Sequence, residues 1–129
     1  PIKACKRACE IITEMKAQNF VEFICTGNQT VMAKSNEYAR AAGVEIGWMG
    51  NQPASVYQQK SYTWANLSTT YMSQGCGERT IDEFTKADIA ISVFNADDDA
   101  TMNYYISKAK QMKAICTNYP KKLINKMKK

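Results

Sequence analysis

The chain contains no histidine. That removes the commonest general base and, with it, the Ser-His-Asp and Cys-His nucleophile systems. Five cysteines are present, an odd number with no CxxC among them: Cys5, Cys9, Cys25, Cys76 and Cys116. Zinc asks for four ligands, often including His, so no metal site is expected, and reduced thiols fit better. No apolar run approaches the roughly 18 residues of a membrane span. No charged-then-apolar leader with a cleavage site stands at the start, and the expected compartment is cytoplasmic. Neither GxGxxG nor GxxxxGK[ST] occurs, so the dinucleotide fingerprint and the P-loop are both missing. There is no internal repeat and no low-complexity block.

What remains is the composition of one ordinary globular domain. In 129 residues, 45% are hydrophobic and 22% charged, which excludes wholesale disorder and coiled coil. The net charge of +5 is unevenly placed. Of 17 basic residues five lie in the last nine positions, leaving 12 basic against 12 acidic residues before them. The high pI therefore belongs to a Lys-rich tail, residues 119–129, and not to the body, residues 1–118. Such a tail reads first as a solvated, frayed terminus, and second as a weak contact for nucleic acid.

Periodicity divides the body into alternating elements. Ile2, Cys5, Cys9, Ile12 and Met15 recur at helical spacing, predicting a helix over 2–18. Phe20–Cys25 is a short aromatic and β-branched run, hence a strand. Gln29–Ala42 reads as a helix stopped by Gly43, and Val44–Trp48 as a second strand. Residues 49–76 read as a long polar and aromatic connection, with a short helix around 64–72. Glu78–Lys86 is a helix, and Ala87–Phe94 is the strongest strand, apolar enough to be buried on both faces. Asn95–Asp99 is a capping turn for a helix running to about Met112. Lys113–Thr117 is a final strand.

Alternation of this kind predicts an α/β fold, a Rossmann-like three-layer sandwich with a small, mostly parallel sheet flanked by helices. Ligands of such sheets bind beyond the carboxyl ends of the strands. Three segments fall there. Thr26, Gly27, Asn28, Gln29 and Thr30 form a strand-to-helix turn suited to phosphate or ribose. Asn51 follows the second strand. Asn95, Asp97, Asp98 and Thr101 follow the strongest one. Asp97, Asp98 and Glu78 are candidate catalytic carboxylates, though Asp at such a turn also serves as a helix cap. Arg79 is placed to pair with a phosphate, or with Glu83 four residues on. Trp48, Trp64 and the tyrosines could stack on a base, although a single aromatic is more often core.

Ile24-Cys25-Thr26-Gly27-Asn28, Tyr38-Ala39 with Gly43, Trp64, Gly77, and Arg79 nine residues before Asp88 together resemble the SLOG superfamily, the Rossmann-like domains named for the SMF/DprA and LOG proteins. The YspA/YpsA-like branch is the nearer pattern. The resemblance spans about residues 5–118. It implies a domain that senses or sequesters a nucleotide-derived small molecule, such as an ADP-ribose-like signal, without a bound cofactor. Some members cleave N-glycosidic bonds, so a nucleotide hydrolase or deoxyribosyltransferase is the alternative. The chain departs from the pattern in instructive ways. The LOG motif PGGxGTxxE is missing, and Tyr104 stands where related transferases place a nucleophilic Glu, which favours a binder over an enzyme. The family's first strand, with its Gly-Ser-Arg turn, has no counterpart, and the sheet edge so left predicts a homo-oligomer.

Overall fold

The computed structural model describes residues 2–25, 29–74 and 77–128. The chain divides into two compact units, Pro1–Met49 and Gly50–Lys129.

In the first unit, helix α1 (Ile2–Glu14) buries Cys9 and Ile12. It is shorter than its apolar periodicity predicts. Thr13 Oγ1 donates to the Cys9 carbonyl at 2.8 Å, and Lys16 turns into the left-handed region at φ +55°. A 3₁₀ turn over Gln18–Phe20 then takes Phe20 out of strand β1 (Glu22–Cys25). β1 pairs in parallel with β2 (Glu45–Trp48), Glu22 opposite Glu45 and Cys25 opposite Trp48. A parallel pair needs a crossover, and helix α2 (Gln29–Ala41) supplies it. α2 packs on α1, where Cys5 Sγ donates to the Ser35 carbonyl at 3.3 Å. Burial, with Cys5 beside it, pushes the Cys9 thiol up to about 11, so Cys9 behaves as a small buried hydrophobe. Gly43 ends the helix at φ +76°, a conformation in which a side chain would be strained.

The second unit runs α3 (Ala54–Gln59), β3 (Trp64–Ser68), α4 (Thr69–Gln74), α5 (Gly77–Lys86), β4 (Ala90–Phe94), α6 (Asp99–Ser107), β5 (Ala114–Ile115) and α7 (Pro120–Met127). β4 lies between β3 and β5 and is parallel to both, with Asn66 opposite Ser92 and Ser92 opposite Ala114. Tyr57, Leu67, Met72, Ile81, Phe84, Ile91, Val93 and Met102 are its fully buried core. Tyr57 meets Phe84 edge to face, ring centres 5.3 Å apart, and its hydroxyl accepts from the Gly50 amide at 3.2 Å. Burial pushes that phenol up to about 12. Trp48 and Trp64 are both core residues, at 8% and 4% exposure, which takes them out of the set of stacking surfaces.

Two sequence-based expectations are corrected. Residues 49–76 are not a long connection: they hold α3, the buried strand β3 and α4. Asn66 hides β3 by breaking its apolar run. In the fold Asn66 is buried because Ser92 Oγ donates to its Oδ1 at 3.0 Å across the β3–β4 pair, and a satisfied polar group is tolerated there. The Lys-rich end is no frayed tail either. Over Pro120–Met127 it is helix α7, opened by Pro120 and anchored by buried Leu123. Lys122 and Lys126 pair with Asp99 on α6 at 3.0 and 3.1 Å. The described residues contain no helix long and apolar enough to cross a membrane.

Phe84 joins α5 to Tyr57 at the centre of the second unit. Phe84→Ala is expected to cost about 3–5 kcal/mol, read by urea denaturation. A loss under 1 kcal/mol would contradict this placement of the core.

Candidate functional site

The site follows from the direction of the strands. β3 and β4 are parallel, so the chain leaving Ser68 must return to the start of β4 before it can pair. α5 makes that return, which puts its first residue, Gly77, on the carboxyl side of the strands. α4 starts directly at the end of β3, and α6 starts five residues beyond the end of β4. Three helices therefore meet at the carboxyl ends. Between them is a cleft of about 450 Å³, lined by Ser73 of α4, Gly77 and Glu78 of α5, and Ala100, Thr101, Tyr104 and Tyr105 of α6.

Gly77 gives Tyr104 room at the wall of this cleft. A Cβ there would lie 2.5 Å from Tyr104 Oη and 3.0 Å from its Cζ, closer than side-chain carbons approach in folded proteins. Without one, the hydroxyl end of the Tyr104 ring packs against Gly77 at the start of α5. Tyr105 meets that ring edge to face, centres 5.0 Å apart, and Lys108 Nζ lies 6.0 Å from its centre. The lining is thus two phenol rings, two small hydroxyl residues and one carboxylate.

The candidate carboxylates each hold a distinct set of partners. Asp98 caps α6: it accepts from the Thr101 amide and from Thr101 Oγ1, both at 2.8 Å. Asp97 accepts from the Asn118 amide at 2.8 Å, and from Thr117 Oγ1 and Asn118 Nδ2 at 2.9 Å each. It thereby fastens the β4–α6 turn to the segment after β5. Glu78 Oε1 receives Lys108 Nζ at 2.7 Å. Hydrogen bonds to the ionised form dominate in every case and hold all three carboxyls below the usual range: from Thr101 at Asp98, from Asn118 at Asp97, from Lys108 at Glu78. Lys108 is raised in turn, chiefly by Glu78. Asp99 is lowered by its bonds to Lys122 and Lys126.

The other expected site residues are dispersed. Thr101 and Glu78 share the cleft. Asn51, at φ +47°, accepts from the Ser68 amide at 3.0 Å with its side chain. The Asn95 carbonyl accepts from Thr69 Oγ1 at 3.5 Å. Those two mark the ends of β3 and β4 without lining the cleft. Arg79 lines a neighbouring shallow hollow with Glu78, Asp82, Glu83 and Lys86, and Glu83 there accepts from the Ala54 amide at 3.0 Å. Gln29 and Thr30 open α2 in the first unit. Thr26, Gly27 and Asn28 lie outside the described residues. Ser73 was not expected here, and Tyr104 and Tyr105 were expected only as two of the tyrosines able to stack on a base. The available signal was a Tyr-Tyr pair about two turns after a capping Asp.

No protein-family model matches the chain, and no curated protein matches its sequence. Among solved structures it is similar to a glycerophosphodiester phosphodiesterase from Parabacteroides distasonis, with a TM-score of 0.74 at 12% identity. The match covers 99% of this chain and 53% of the other, so this chain spans about half the length of that protein. The likeness is one of fold: α/β and Rossmann-like, with parallel strands flanked by helices.

The lowered carboxyls carry a pH dependence with a definite sign. A folded-state pKa below the unfolded value stabilises above the unfolded pKa, near 4, and that stability is lost as pH falls through the folded pKa. The melting temperature is expected to hold from pH 7 to about 5 and to drop below about 4. Asp98→Asn keeps a capping side chain but cannot titrate, so its acid drop should be shallower than the wild type's. Superimposable acid limbs in a calorimetric pH series would show that Asp98 is not one of the groups responsible.

Proposed function

We propose that this chain is a binding module that senses or sequesters a nucleotide-derived small molecule in the cleft at the carboxyl ends of β3 and β4. The observation carrying the reading is that cleft. Its volume, about 450 Å³, falls within the range of small-molecule sites. Tyr104 offers an aromatic face to a base, while Ser73, Thr101 and Glu78 offer hydroxyl and carboxylate groups to a ribose. Position supports it as well, since open parallel sheets take ligands beyond their carboxyl ends.

Binding is favoured over catalysis because Asp97 and Asp98 are committed to holding the β4–α6 turn. The alternative, N-glycosidic hydrolysis or transfer, rests on Glu78, the one of the three carboxylates that lines the cleft. Homo-oligomerisation belongs to the same proposal, supported by Met15 and Phe20 in the first unit, at 71% and 87% exposure.

A thermal-shift screen across nucleosides, nucleotides, cyclic nucleotides, NAD and ADP-ribose tests the reading, with mass spectrometry of each mixture afterwards. A ligand at about 100 times its Kd stabilises by about 2.7 kcal/mol. The expected result is stabilisation with the ligand recovered intact, and a weaker shift in Gly77→Ala, whose new Cβ displaces Tyr104. Free base in the mixture would establish the enzyme instead. No shift with any compound would overturn the small-molecule reading.

A further inference from the structure

The charged groups in and around the cleft are each engaged by the protein itself. Glu78 is the only charged residue among the described residues lining it, and Lys108 holds it at 2.7 Å. Asp98 already occupies the N-terminus of α6, where it takes the Thr101 amide that an incoming anion would need. Asp99, in the first turn of the same helix, is matched by Lys122 and Lys126 from α7. Among the described residues no Lys or Arg lines the cleft, and Arg79 lines a neighbouring hollow that Glu78 also lines, with Asp82, Glu83 and Lys86. A phosphate entering here would find the nearest cation, Lys108, already held by Glu78. A cationic ligand would have to compete with Lys108 for Glu78.

We infer that the cleft takes an uncharged ligand: an unphosphorylated nucleoside, its base against the Tyr104 ring and its ribose hydroxyls donating to Glu78. This rests on the binding reading above and narrows it to one ligand class. A carboxylate accepts from both hydroxyls of a ribose diol, and each of its oxygens has lone pairs to spare beyond the one used by Lys108. Thr101 cannot serve the ribose as freely, because its hydroxyl already donates to Asp98 Oδ2. Glu78 is therefore the group that sets specificity, accepting from the diol and keeping Lys108 from a 5′-phosphate.

Isothermal titration of the whole chain with adenosine, guanosine and uridine, each beside its 5′-monophosphate, tests the inference. At least one nucleoside should bind at least tenfold more tightly than its monophosphate. Glu78→Gln should narrow that ratio at least tenfold, by weakening the nucleoside and by releasing Lys108 toward the phosphate, with the far-ultraviolet circular dichroism spectrum unchanged. A monophosphate that binds as tightly as its nucleoside, or more tightly, would overturn the inference and leave the binding reading standing. A nucleoside preference that survives Glu78→Gln undiminished would overturn the role of Glu78. If neither nucleosides nor nucleotides bind, the binding reading itself fails.

Discussion

Parallel pairing of β3 with β4 is the constraint on which the candidate site depends. Two parallel neighbours cannot be joined by a tight turn, so the chain between Ser68 and Ala90 must travel the length of the sheet and come back. That return delivers the start of α5 to the same end of the strands as the start of α6. The pairing is secured in its middle by a polar contact rather than an apolar one. Ser92 and Asn66 are both buried and bonded to each other across the two strands. Leu67, Ile91 and Val93 supply the apolar burial around them. A buried, mutually satisfied pair of this kind favours one register, because a slip would leave both groups without partners.

Electrostatics then shapes what the strand ends can accept. Four carboxylates gather near the start of α6 and the wall of the cleft, and in an open site they would repel one another. Here each has a local donor. Asp98 uses the helix N-terminus, Asp97 the backbone and side chain of Asn118, Asp99 two lysines of α7, and Glu78 Lys108. Exposed ion pairs contribute little stability singly, so their main effect is on charge balance and geometry. The C-terminal lysines are thus partly spent inside the molecule. Lys122 and Lys126 balance Asp99, while Lys121 and Lys128 remain exposed. A nucleic-acid contact through this end would draw on a smaller free charge than the sequence count implies.

Much of the fold could be read from local pattern. Gly43 stops α2 where a left-handed residue is needed, and the apolar run of β4 marks a strand buried on both faces. The capping turn before α6 was legible from its three aspartates, and the structure assigns the cap to Asp98. β3 was not legible, because its strand character depends on a partner 26 residues away: Asn66 reads as a loop residue until Ser92 is placed beside it. α7 was obscured by its lysines, although Pro120 at a helix start and Leu123 one turn on were present as signals. Of the cleft, Glu78 and Thr101 could be named from the sequence. Tyr104 could be named only as one of several candidate stacking tyrosines, because its contact with Gly77 is made by tertiary packing alone.

The central claim is that ligand binds where α4, α5 and α6 meet at the ends of β3 and β4. Amide chemical shifts followed by heteronuclear NMR during a titration with the tightest-binding nucleoside test it most directly. The account predicts that the largest changes fall on Ser73, Gly77, Glu78, Ala100, Thr101, Tyr104 and Tyr105. Changes confined to the hollow around Arg79, or to the first unit, with those seven amides unmoved, would contradict it.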